Sequence, residues 1–335
     1  MNDRYSRQEL FYGIKKEGQQ KLAEAHVLII GAGALGSASA EMLVRAGVGN
    51  ITIFDRDYVE YSNLQRQQLY TEADADERMP KAAAAEKRLR QVNGDVKIRG
   101  IIEDVTPKTF EQFQNADLII DALDNFATRM VINDASQKYG IPWIYGACVS
   151  SYGLSYTVLP GKKPCLSCIM GAVPSGGDTC DTAGVISPAV QIVASYQTTE
   201  ALKYLSGSRE AMRDELIQFD VWTNETRKIG VNRLKDESCP SCGKEPEYPY
   251  LQAGNQTRTA VLCGRDTVQI RPVHSVSFET LKRTLAPFHP KTNSYLMQVV
   301  IENKRIVLFQ DGRALIHDTN EETEALGLYQ RYISG

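Results

Sequence analysis

The sequence predicts an α/β chain: a doubly wound, mostly parallel sheet continuing into a mixed or antiparallel part, followed by a small α+β extension. Three observations predict it. Strand-like and helix-like segments alternate through the first 150 residues, the first strand runs straight into a glycine-rich turn, and after Gly153 the pattern changes to hairpins around one long helix.

After a helix-like stretch at Glu17 to Ala25, the run His26 to Ile30 reads as a strand ending abruptly at GAGALG, Gly31 to Gly36. A helix fits Ala34 to Arg45, a short strand Ile51 to Phe54, and an alanine- and charge-rich helix Lys81 to Val92. Further strands fit Val96 to Ile102, Leu118 to Ala122 and Trp143 to Ala147, with helices near Pro107 to Phe113 and Asn125 to Tyr139. Right-handed crossovers then make the sheet parallel and doubly wound. Beyond it, Leu154 to Leu159, Leu216 to Val221 and Arg227 to Val231 read as hairpin strands around a helix at Pro188 to Leu205. A polar break at Lys235 to Pro249 separates a main domain, residues 1–248, from an extension, 249–335. In that extension Ala260 to Arg271, Phe278 to Leu285, Tyr295 to Glu302, Ile306 to His317 and Glu321 to Tyr332 read strand, helix, strand, strand, helix.

Bulk properties narrow the function classes. The 335 residues carry 38 basic and 41 acidic side chains, interspersed, for a net charge of −3, which gives no footprint for a polyanion and argues against nucleic acid. Apolar stretches are strand-sized, short of the roughly 18 to 20 residues that span a bilayer, and Met1 to Tyr5 has no apolar signal core, so a soluble, cytoplasmic protein without membrane partners is expected. Seven cysteines include two Cys-x-x-Cys pairs, a pattern that in this setting points to metal binding or catalysis before disulfides.

Gly31, Gly33 and Gly36 permit a tight turn, close approach of a phosphate and close helix packing, while the following helix offers free N–H groups and a positive dipole end. Asp55 lies nineteen positions beyond Gly36 at the end of the second strand, where a ribose hydroxyl would sit, so the chain reads as Rossmann-like. These residues alone leave two alternatives open: a glycine turn without a ligand, and an NAD(P)-dependent oxidoreductase. The segment Ser62 to Gln67 with Lys81 favours a triphosphate, because Asn63, Arg66 and Lys81 supply more polar and cationic groups than a dinucleotide pyrophosphate needs. Asp124 ends a strand and precedes a helix; it is either an N-cap or a carboxylate for Mg²⁺.

The motifs RYSRQ (Arg4 to Gln8), GAGALG, DRDYVEYSNLQRQ (Asp55 to Gln67), Pro80-Lys81, DALDN (Asp121 to Asn125), both Cys-x-x-Cys pairs and TCDTAG (Thr179 to Gly184) together resemble the ThiF/MoeB family, relatives of ubiquitin-activating enzymes. The resemblance spans nearly all of the first 250 residues. It implies ATP-dependent adenylylation of the C-terminal glycine carboxylate of a ubiquitin-like sulfur carrier ending in Gly-Gly, in thiamin or molybdopterin synthesis, with a persulfide-bearing sulfur donor as a second partner. It further implies that Asp55 holds the ribose, that Asn63, Arg66 and Lys81 hold the phosphates, and that Asp124 binds Mg²⁺. Gly31, Gly33, Ala34, Gly36, Asp57, Ser62, Leu64, Gln65 and Asn125 fall in the same nucleotide-binding segments; Ala34 stands where some members have another glycine. Arg7 would reach the ATP of the other subunit of a homodimer. Cys180, before a helix that can lower its pKa, matches a nucleophilic position used in sulfur transfer, against a plain structural reading.

Cys165 and Cys168 are separated by 71 positions from the second pair, Cys239 and Cys242. Two such knuckles complete a closed four-thiolate zinc site, a structural rather than catalytic centre; the alternative is two independent pairs, one redox-active. Cys148 and Cys263 lie in strand-like runs and read as core.

Overall fold

The computed structural model describes residues 3–170, 183–252, 259–261, 266–271 and 276–334, so the expectations for Cys180 and Cys263 lie outside the described residues. The chain divides into two compact units, Met1–Ala253 and Gly254–Gly335.

In the first unit, helices α1 (Ser6–Glu9) and α2 (Lys15–Glu24) precede β1 (His26–Ile30), α3 (Ala34–Arg45), β2 (Asn50–Phe54), α4 (Glu72–Asp76), α5 (Lys81–Val92) and β3 (Lys97–Ile101). Then come α6 (Pro107–Gln112), β4 (Leu118–Asp121), α7 (Phe126–Tyr139), β5 (Trp143–Val149), β6 (Tyr152–Val158), α8 (Leu166–Ile169), α9 (Ser187–Ser206), β7 (Glu215–Asp220), β8 (Glu225–Gly230) and α10 (Pro249–Gln252). They form one eight-stranded sheet of order β3-β2-β1-β4-β5-β6-β7-β8. The first five strands are parallel and the last three pairings antiparallel, as the change of pattern after Gly153 predicts.

Local chemistry accounts for the elements that position the site. Val27 to Ile30 and all of β4 are buried, the mark of central strands covered on both faces. The first half of helix α3 is rich in small residues, Ala34, Gly36, Ser37, Ala38, Ser39 and Ala40, which let it press against the sheet. Asn125 caps α7, its Oδ1 accepting the Thr128 N–H at 3.0 Å, and Gly140 ends that helix in the left-handed region at φ 70°.

The second unit contains β9 (Thr259–Val261), β10 (Thr267–Ile270), α11 (Phe278–Leu285), β11 (Lys291–Thr292), β12 (Leu296–Ile301), β13 (Lys304–Phe309), β14 (Ala314–His317) and α12 (Glu322–Tyr329). Its sheet has the order β11-β12-β13-β14-β10-β9 and is antiparallel throughout, with Leu281, Leu285, Met297, Ile306 and Leu328 in its core. Two single-strand expectations fail here. Ile306 to His317 folds back on itself because Asp311-Gly312 makes a turn: Gly312 sits at φ 84° and its N–H donates to Phe309 O at 3.0 Å. Ala260 to Arg271 likewise holds two strands, β9 and β10, paired antiparallel.

Candidate nucleotide site and four-thiol centre

The β1–α3 turn is held by steric necessity. Gly31 has φ +99°, and a Cβ there would meet Ala122 O at 2.6 Å; a Cβ on Gly36 would lie 1.9 Å from Gly31 O. Gly33 is different: among the described residues its Cβ direction meets only Gln67 Nε2, at 3.9 Å. Among the described residues no side chain caps the N-terminus of α3, so the first N–H groups of that twelve-residue helix, including that of Ala34, are left for an anion. Gly36→Ala is therefore expected to cost about 3 kcal/mol or more, since backbone must move to admit the methyl group. Gly33→Ala should leave thermal unfolding nearly unchanged yet weaken nucleotide binding at least about tenfold, because the methyl occupies the space beside the helix N-terminus. Melting curves and calorimetric titration with nucleotide separate the two effects.

Asp55, at the end of β2, ties the turn to the second strand: Oδ2 accepts the Ala32 N–H at 2.6 Å and Oδ1 the Asp57 N–H at 2.7 Å. Burial pushes its carboxyl up, Lys81 pulling the other way. The Lys81 side chain is only 4% exposed, and its Nζ lies 3.4 Å from Asp57 Oδ2. A buried ammonium beside two carboxylates and a glycine turn is a fixed positive charge available to a phosphate. The Tyr70 hydroxyl donates to Ala32 O at 2.6 Å and lies 3.3 Å from Lys81 O, pinning the turn to the start of α5.

The loop after β2 forms a short 3-10 turn, Tyr61–Asn63, closed by a reciprocal cap in which Asn63 Oδ1 accepts the Glu60 N–H at 3.1 Å. Asn63 is buried, Leu64 packs against the core, and Ser62 and Gln65 are exposed. Arg66 is half-buried and its guanidinium donates to Ser62 O at 2.9 Å; among the described residues it forms no ion pair. Gln67, the last residue of the DRDYVEYSNLQRQ motif and one without a role in the motif reading, is 3% exposed, and its Oε1 has no hydrogen-bond partner among the described residues. Its nearness to Gly33 is the signal that marks it, and only the folded chain supplies that signal.

The two readings of Asp124 separate in the structure. Asn125, not Asp124, is the helix cap, which leaves the Asp124 carboxylate exposed, with the Asn125 Nδ2 3.4 Å away. The short β4–α7 loop is anchored beneath it. Arg129 donates through Nε to Asp121 Oδ2 at 3.0 Å and through its terminal nitrogen to Leu123 O and to Gly146 O. Asp121 is fully buried, and burial pushes its carboxyl up to about 6 against the pull of Arg129. The glycine turn, Asp55, Asp57, Lys81, Gln67 and the β4–α7 loop thus meet at one end of the parallel sheet.

Arg7 does not join them. Gln8 Nε2 donates to Ala46 O at 2.8 Å, and a Cβ on Gly47 would strike the Tyr5 ring, so α1 sits at the C-terminal end of α3. The helix is twelve residues long, which puts roughly 18 Å between that end and the glycine turn. Arg7 itself is exposed.

The two Cys-x-x-Cys pairs come together. The sulfurs of Cys165, Cys168, Cys239 and Cys242 all lie within 4.8 Å of one another, with Cys165–Cys239 at 3.7 Å, Cys168–Cys242 at 3.5 Å and Cys165–Cys168 at 3.9 Å. Metal–sulfur bonds of about 2.3 Å in a tetrahedron put sulfurs about 3.8 Å apart, so this donor set fits one four-thiolate metal. Contacts across the knuckles are as short as that within the first pair, which argues against two independent redox pairs.

The sequence profile of the ThiF family matches residues 5–241. A Bacillus subtilis protein named sulfur carrier protein ThiS adenylyltransferase is 54% identical over 99% of this chain and 100% of its own length. An Escherichia coli protein of the same name is 38% identical over 72% of this chain and 97% of its own. The second unit therefore has a counterpart in the Bacillus protein and essentially none in the Escherichia one. Among solved structures, E. coli MccB with ATP superposes with a TM-score of 0.63 at 21% identity, covering 72% of this chain and 75% of that one, a likeness of fold. With a family profile over more than two thirds of its length and a relative 54% identical from end to end, the chain belongs to the ThiF family.

Proposed function

We propose that this protein adenylylates the C-terminal glycine carboxylate of a ubiquitin-like sulfur carrier with ATP, releasing pyrophosphate. Family membership decides between the two uses of a glycine turn and leaves no role for NAD(P) oxidation chemistry. The observation that carries the reading is the convergence of the open Gly33 turn, the buried Lys81 and the exposed Asp124 loop at one sheet end.

A carrier carboxylate oxygen attacks the α-phosphorus of ATP. The bond from that phosphorus to the oxygen bridging to the β-phosphate breaks, and pyrophosphate leaves with the electron pair, giving an acyl-adenylate. The carboxylate is already ionised at neutral pH, so no general base is required. The free N–H groups at the start of α3, Lys81 and Arg66 hold the phosphates in line and neutralise charge as it moves onto the leaving group. Asp55 is offered to the ribose and Asn63 to the phosphates, with Asp57, Ser62, Leu64, Gln65 and Asn125 shaping the walls. Asp124 would hold Mg²⁺, which supplies further charge neutralisation when bound.

The finer assignments are part of the same proposal. The carrier is of the ThiS type rather than the molybdopterin type, supported by the end-to-end likeness to a protein of that name. The four thiols hold zinc as a structural ion. The working form is a homodimer, supported by the placement of Arg7 away from its own glycine turn. Cys180 and a persulfide-bearing donor serve the sulfur-transfer stage. We place the protein in the cytoplasm, where thiolates stay reduced; no helix of the described residues is long and apolar enough to cross a membrane.

Isotope exchange between pyrophosphate and ATP tests the reading. Label should enter ATP only when a carrier ending in Gly-Gly is present, and a carrier shortened by its last glycine should give none. Exchange that ignores the carrier, or fails with every Gly-Gly carrier tried, sinks it. Cys180→Ala should keep exchange largely intact and lose thiocarboxylate formation, read by mass spectrometry of the carrier.

A further inference from the structure

Helix α7 touches both chemical centres. At its start stands the loop carrying Asp124; nearer its end, Asn133 and Asp134 are fully buried polar residues on a helix whose cap and C-terminal glycine are already satisfied. Asn133 faces the first cysteine knuckle. Its Oδ1 accepts the Leu166 N–H at 2.7 Å, the first N–H of α8, and its Nδ2 donates to Ser167 Oγ at 3.2 Å. Leu166 and Ser167 are the two residues between Cys165 and Cys168. Ser167 Oγ in turn lies 3.1 Å from Ser241 Oγ, between the two cysteines of the second knuckle. Asp134 Oδ2 accepts the Tyr250 N–H at 2.8 Å, holding the chain beyond that knuckle. One amide thus fixes the backbone of one knuckle and, through two hydroxyls, the other.

We infer that Asn133 is a positioning residue of the metal centre, and that through α7 it ties occupancy of that centre to the geometry of the Asp124 loop. The physical route is short. Arg129 precedes Asn133 by four residues, on the same face of the helix, and clamps Asp121, Leu123 and Gly146 around the loop. A helix held at the metal end by Asn133 and at the loop end by Arg129 cannot shift at one without moving the other. Without metal, four thiols have no reason to stay clustered, and the Leu166–Ser167 turn that Asn133 grips is released. The inference rests on the adenylyltransferase reading only for the meaning of the Asp124 loop; the metal arm of the test is independent of it.

The test uses the full-length protein, with about one zinc per chain as the starting point. Zinc affinity is measured by competition with a chromophoric chelator, and Mg-ATP binding by calorimetry. Asn133→Ala should weaken zinc about 10- to 100-fold, the usual size of an outer-shell loss. Ser167→Ala, which removes only the bridging hydroxyl on a four-residue helix, should weaken it by less and keeps the question open to measurement if the asparagine variant does not fold. Wild-type protein stripped of zinc, with its circular dichroism retained, should bind Mg-ATP about fivefold or more weakly and recover when zinc is returned. Unchanged zinc affinity in both variants overturns the positioning role, and equal Mg-ATP affinity with and without zinc overturns the coupling. Weakened zinc binding in a protein that shows no carrier-dependent exchange would uphold Asn133 while removing the proposed function.

Discussion

Asp124→Ala and Arg66→Ala are each expected to lower carrier-dependent pyrophosphate exchange by about 10²- to 10³-fold or below detection, the cost of losing a positive charge at an anionic transition state: the guanidinium itself for Arg66, and the Mg²⁺ that Asp124 would hold. Neither should matter for the fold. Asp124 is exposed and does not cap α7, and among the described residues Arg66 bonds only the Ser62 carbonyl four residues back. Thermal unfolding of both should stay within about 0.5 kcal/mol of the parent, as for surface changes away from structural features. The neighbouring Asn125→Ala makes the contrast: loss of the cap should cost about 1 kcal/mol of stability. If Asp124→Ala lowered the melting temperature as Asn125→Ala does while exchange survived, the carboxylate would be a structural group and the metal assignment would fall. Lys81 cannot be tested so cleanly, because a buried ammonium withdrawn from Asp55 and Asp57 leaves two carboxylates facing each other.

Much of this site is legible in sequence because it is built from local rules. Gly31 and Gly36 are required by a left-handed φ and by a carbonyl that no Cβ can approach, and those requirements show as glycines at fixed spacing after a buried strand. Asp55 is legible because the end of the second strand must meet the turn. The limits have equally local causes. Whether Asp124 or Asn125 caps α7 is a one-residue question, and side-chain type does not answer it when both residues are good caps. Gln67 is one glutamine in a polar loop, and only the turn of the chain at Asn63 brings it beside Gly33. The β13–β14 turn hides inside an apolar run, where Asp311-Gly312 is the only mark of a reversal. The cysteine pairs reveal their type of chemistry by spacing, but the asparagine on α7 that holds one of them lies 32 residues earlier and carries no motif of its own.

Arg7→Ala should abolish exchange as completely as Asp124→Ala, although nothing in one chain joins the two residues. Packing of Gln8 against Ala46 and of Tyr5 against Gly47 fixes α1 at the far end of α3, at a distance no arginine side chain spans from the glycine turn. In the proposed homodimer Arg7 would come to the phosphates from the second copy of the chain, and each site would then be a composite across a twofold axis. Mixing the two inactive homodimers then has a calculable outcome. In a mixed dimer one site carries both lesions and the other neither, and random reassortment makes half of the dimers mixed, so exchange should return to about a quarter of the parent level. The recovery should grow at the rate of subunit exchange and disappear when the two variants are combined in one chain. A mixture that stays inactive after subunits have demonstrably reassorted would leave Arg7 as a surface residue at the end of α3, and the site would have to find its third cation within its own chain.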